Sequence, residues 1–288
     1  MKSDTVRRAL IELIRMRTGS ETAAWLEERM KTAAESLDVV CVELVRRMGQ
    51  KPLIAGFKER SHAVLITALG AMPIGHWRTD RAARAWLLAS LAQQSDTPFI
   101  RLFEFYDNGD TETRIAAILA INLVDDEQVS KGLDLIHDAG RTYLDELMDA
   151  AWCNHPFTAT HMNDAEYRKA VLKALFCDIS IDGFMKLSER ADVELAKSLR
   201  DFADEREAAN RPVPDVLWPV LAMHPQPGLV ARLIGRLEHP LSAQRLVAAT
   251  SLRNAADRRA LSFLKERESR ESEPAVRTMI EAAITACT

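Results

Sequence analysis

The chain has 288 residues, 47% hydrophobic and 28% charged, ordinary values for a protein that buries a substantial core. Its 38 Lys and Arg against 42 Asp and Glu leave a formal net charge of -4, which excludes the broad basic footprint of a nucleic-acid or anionic-membrane binder. Gly and Pro, at 11 each, are few, as a mostly helical chain requires.

Residues 4–17 place Val6, Leu10, Ile11, Leu13 and Ile14 on one broad face, so an amphipathic helix is expected there. Further helices are expected at 21–36 and 38–48. Gly49 to Gly56, with Pro52, reads as a loop, and the helical pattern resumes over 61–69 before Pro73 and Gly75 break it. Helices then follow at 80–91, 97–106, 110–124, 125–138 and 141–153, the fourth opened by Asp125 and Asp126. At Asn154–Met162 the pattern stops, because Pro156 holds His155 extended. Beyond it come a helix from Asn163 or Asp164 to Phe176, a connector around Gly183, and a long charged helix at 192–210. A short helix near Trp218 sits between proline-bearing loops, and Lys265–Glu273 reads as a solvated helix end. No β-sheet beyond isolated turns is expected.

One pattern recurs in this series: an arginine, six residues later a small residue, then an aliphatic one. It starts at Arg84, Arg114, Arg168, Arg245 and Arg277. Asp80, Asp110, Asp164 and Glu273 precede four of these arginines by four residues, whereas Leu241 holds that place before Arg245. The spacing puts acid and base on adjacent turns, or makes the acid the cap of the arginine's helix. The pattern resembles the second helix of HEAT repeats, in which small residues allow close helix approach and the acid and arginine tie one repeat to the next. The expected fold is therefore all-α, a right-handed HEAT-like α-solenoid of antiparallel helix pairs, with 1–288 forming a single repeat domain.

Chemistry-bearing motifs are sparse. No P-loop, GxGxxG or GxSxG string occurs, and the four cysteines, Cys41, Cys153, Cys177 and Cys287, form no CxxC pair and read as reduced thiols. Cys153, His155, His161 and Asp164 supply metal-ligand residue types within twelve residues, but their spacing matches no established ligand pattern, so neither metal nor cofactor is assigned. The candidate binding residues are Asn154, His155, His161, Tyr167, Arg168 and Asp182, where the helical array is interrupted. The competing reading is that Asn154 and Arg168 satisfy backbone groups where helices part. No run approaches the roughly 20 apolar residues of a membrane helix. The N-terminus lacks the apolar core and small-residue cleavage site of a leader, so a cytoplasmic location is expected.

Residues 76–221 resemble the EboA-domain family of bacterial proteins. The resemblance rests on Asn108, Gly109 and Asp110, on Asn154 and Pro156, on VLKALF at Val171–Phe176, and on the string from Ile179 to Trp218 that ends DEREAANRPVPDVLW. Residues 222–288 add C-terminal HEAT-like repeats. His155 to His161 departs from the family segment, which is more aromatic and proline-rich. The resemblance implies an α-helical, operon-encoded protein associated with the handling or export of secondary-metabolite precursors, and it assigns no catalytic residues. A non-catalytic binding or scaffold role is expected, with a partner protein from the same operon or a small metabolite as ligand and no nucleic acid. The alternative is an enzyme, such as a metal-dependent hydrolase, with its site in the 154–164 loop.

Overall fold

A computed structural model describes residues 3–33 and 37–288, which contain eighteen α-helices and one two-stranded sheet. The N-terminal runs fold as α1 (Ser3–Thr18), α2 (Ser20–Met30) and α3 (Leu37–Met48). The helix expected at 21–36 stops at Met30, and 34–36 lie outside the described residues. After α4 (Phe57–Arg60) comes a correction: 61–69 is not helical. Val64–Thr67 (β1) pairs antiparallel with Gly70–Pro73 (β2), with Thr67 opposite Gly70. Four residues with a strict alternation of burial, Leu65 and Thr67 inward and Val64 and Ile66 outward, favour a pleated strand over a helix too short to nucleate. The Thr67 hydroxyl donates to the Gly70 carbonyl at 2.9 Å, and Gly70 takes the turn's positive φ of 124°.

The chain continues through α5 (Thr79–Ala92), α6 (Pro98–Asn108), α7 (Thr111–Ala120), α8 (Val129–Arg141), α9 (Asp145–Trp152) and α10 (Pro156–His161). α11 (Asp164–Phe176), α12 (Leu187–Arg190), α13 (Val193–Ala208) and α14 (Leu217–Leu221) follow, then α15 (Leu229–Arg236), α16 (Ser242–Ala255), α17 (Leu261–Arg270) and α18 (Pro274–Cys287). The double aspartate does not open α8. Asp125 accepts from the Ser3 hydroxyl at 2.7 Å, and Asp126 accepts from the Phe99 amide at 2.8 Å at the start of α6. Asn163 and Glu166 form a reciprocal capping box at the start of α11, each side chain accepting the other's amide at 3.0 and 3.1 Å.

Two compact units result: residues 1–170 with 183–185, and residues 171–182 with 186–288. In the first, α5 is buried on nearly every face and packs on α1, α3, α6 and α7; α7 packs on α9, and α6 on α8. In the second, α14 packs on α16, and α16 packs on α18.

Two of the recurring arginines, Arg84 and Arg245, bond acids outside their own helices. Arg84 of α5 donates to Asp110, the cap of α7, at 2.9 Å, while Asp110 also accepts the Thr113 amide at 2.8 Å. Arg245 of α16 finds its acid in Glu271, just before α18, through two bonds of 2.8 Å. This corrects the reading of Lys265–Glu273 as a wholly solvated end, because Glu271 is 0% exposed.

Candidate functional site

The 154–164 segment, where an open loop was expected, closes into the core of the first unit. Cys153 forms an isolated antiparallel bridge with Phe184, and the Asn154 amide donates to the Gly183 carbonyl at 2.7 Å. Asn154 sits at φ 56°, a left-handed conformation that asparagine tolerates. A Cβ on Gly183 would lie 2.6 Å from that of Cys153, so glycine permits this approach.

His155 is extended, as Pro156 demands, and caps α10. It is 0% exposed. Its Nδ1 accepts from the Thr158 amide at 3.2 Å, and its Nε2 lies 3.0 Å from the Ile118 carbonyl oxygen and 2.9 Å from Asn122 Nδ2. Asn122 Oδ1 in turn accepts the Phe157 amide at 2.9 Å. Burial pushes the imidazole down to about 4, so the ring is neutral at pH 7 and both nitrogens face protein groups. Gly132 of α8 lets α10 close in: a Cβ there would meet the Phe157 ring at 2.5 Å.

Tyr167 is also buried, its hydroxyl donating to the Met185 carbonyl at 2.8 Å and its ring standing edge-on to Phe184 at 5.6 Å. His161 and Arg168 are partly exposed, with the His161 ring 4.6 Å from that of Phe157. Asp182 is exposed, accepts from the Ser180 hydroxyl at 3.0 Å, and belongs to the second unit. The structure thus gathers five of the six candidate residues into the first unit, and it places His155 and Tyr167 in its core. Among the described residues, no three His, Cys, Asp or Glu side chains assemble as a metal-ligand set.

An open concave surface lies elsewhere in the first unit. A cleft of about 460 Å³ runs between α6 and α8, with Ile100 and Phe103 on its apolar wall and Lys131, Asp134, Asp138 and Arg141 on its polar one. Lys131 is paired with Asp134 at 3.2 Å, whereas Arg141 has no acidic partner among the described residues. His137, also on the lining, has its Nε2 3.5 Å from Glu166 Oε1. Behind this wall, burial and then the nearby Asp138 carboxylate raise the Tyr106 hydroxyl above its ordinary value. That hydroxyl has no partner in hydrogen-bonding geometry among the described residues. The sequence signal for the cleft was the polar stripe Lys131, Asp134, Asp138 and Arg141 along α8, which periodicity alone reads as a solvated face.

Fold and surface together define an all-α protein with a ligand-sized cleft, and no helix among its described residues is long and apolar enough to cross a membrane. Residues 6–222 match the family described as metabolite traffic protein EboA, and the chain belongs to that family. The match starts well before residue 76, where the resemblance had been placed, and therefore takes in α1 to α3. No curated protein and no solved structure matches the chain.

Proposed function

We propose that this EboA-family chain is a non-catalytic binding protein that holds a metabolite precursor in the α6–α8 cleft and presents it to a partner protein encoded in the same operon. The cleft carries this reading. Its volume, about 460 Å³, lies in the range of small-molecule sites, and it joins an apolar wall to a few charged groups that would orient a ligand. A cytoplasmic helical array of HEAT-like pairs is the proposed scaffold, favoured by the arginine bonds that tie α5 to α7 and α16 to the segment before α18. The engagement of both His155 nitrogens by protein groups weighs against an enzyme centred on 154–164.

Affinity purification from the native host, with co-purifying proteins and small molecules identified, tests this reading. A small molecule retained by the wild type and lost in Phe103→Glu and Arg141→Glu, with unchanged melting temperature, supports it. Retention of the same molecule by both variants, or catalytic turnover of that molecule by the purified chain, overturns it.

A further inference from the structure

A second groove, of about 490 Å³, opens along α3, with Val42 and Val45 on one wall and Arg84, Asp110 and Thr113 at its base. Arg84 is 3% exposed, while Val42 on the wall is 56% exposed. A buried guanidinium ordinarily has its full fork of donors met, since an unmatched buried charge is costly. Arg84 donates through Nη1 alone, to Asp110 Oδ1 at 2.9 Å and to Thr113 Oγ1 at 2.9 Å. Among the described residues, its Nε and Nη2 meet no protein acceptor.

Arg245, at the same place in the recurring pattern, shows what that free edge accommodates. Its Nη1 donates to the carbonyls of His239 and Pro240 at 2.9 Å, and its Nε and Nη2 grip the two oxygens of Glu271 at 2.8 Å each. The edge that holds an internal carboxylate in Arg245 is the edge that Arg84, a residue of the groove lining, leaves without a protein acceptor among the described residues. We propose that the α3 groove is a binding site for a small monocarboxylic acid, whose carboxylate takes the Nε–Nη2 edge of Arg84 and whose apolar body lies on Val42 and Val45. This site is separate from the α6–α8 cleft and does not depend on it. A planar fork matches a carboxylate bidentately. The lining sets Asp38 and Asp110 against Arg46 and Arg84, so it offers no net positive charge that would favour a dianion such as phosphate over a monoanion.

Isothermal titration of the full chain with benzoate tests the proposal, with benzylamine and inorganic phosphate as controls. Saturable one-to-one benzoate binding is expected, weakened about tenfold or more by Arg84→Lys, which keeps the charge and loses the fork. Val42→Asp, at an exposed position, should weaken binding through like charge while leaving the melting temperature unchanged, and it keeps the test decisive should Arg84→Lys fail to fold. Absence of saturable benzoate binding overturns the proposal. So does benzylamine or phosphate bound as tightly as benzoate, or benzoate binding untouched by Val42→Asp.

Discussion

Replacing His155 by Asn separates a structural histidine from a chemical one. Asn is the nearest substitute as a cap, since its side-chain oxygen sits where Nδ1 accepts the Thr158 amide, but it is too short to reach the Ile118 carbonyl as Nε2 does. The Ile118 carbonyl keeps the Ile121 amide as a donor, so losing the histidine bond costs about 0.5–1.5 kcal/mol at neutral pH. The pH dependence then works against the wild type. His155 titrates at about 4 when folded, against an ordinary 6.5, so between these values the unfolded chain binds the extra proton and stability falls as pH falls. A depression of this size is worth about 3 kcal/mol, lost progressively from pH 6.5 down to 4 and constant below that. His76, also lowered by burial, contributes to the same window in both proteins, so the difference between them isolates His155. Urea unfolding at pH 7.5 and at pH 4 should therefore show wild type the more stable at the first and His155→Asn equal or more stable at the second. A difference independent of pH, or an NMR titration of His155 in the folded protein near 6.5, would refute the reasoning.

The second unit depends on Glu271, which is enclosed between Arg245 and Arg267 and also accepts the Glu273 amide at 3.0 Å. Glu271→Gln should destabilise that unit by about 3–5 kcal/mol in thermal unfolding, because it leaves buried arginine charge uncompensated. Hydrogen bonding from Arg245 holds the Glu271 carboxyl well below the usual range, so its stabilisation is complete above the ordinary glutamate value and is lost only as pH falls through the depressed one. Acid unfolding of the wild type that is no steeper than that of Glu271→Gln would contradict this. Gly132→Ala should cost about 1–3 kcal/mol by driving a methyl into the Phe157 ring, and Phe157→Leu in the same chain should recover part of the loss.

Helix existence was legible wherever apolar residues recurred at helical spacing over ten or more positions, as in α1, α5 and α13. The hairpin was missed because Val64–Thr67 is too short for periodicity to decide, and its alternation emerges only once Leu65 and Met72 are known to face inward. The recurring arginines were visible, but not their partners: Asp110 and Glu271 lie 26 residues from Arg84 and Arg245, and sequence spacing favours nearer acids. His155 stood out as a polar residue beside a proline, the same signal that a ligand and a cap both give. Its role is set by Ile118 and Asn122, more than thirty residues upstream and without polar periodicity of their own. The clefts left at most the polar stripe of α8 in the sequence, with nothing to mark it as a lining. Their linings come from helices that meet only in three dimensions, and each charged residue alone reads as solvated surface.

Native mass spectrometry of the chain after incubation with small-molecule extract of its host tests most directly whether it binds a metabolite without transforming it. The account predicts one compound bound per chain, released with unchanged mass after prolonged incubation, and absent from Phe103→Glu. A released compound of altered mass, formed by the wild type and not by a His155→Asn chain of equal fold, would contradict the account and return the chemistry to the 154–164 segment.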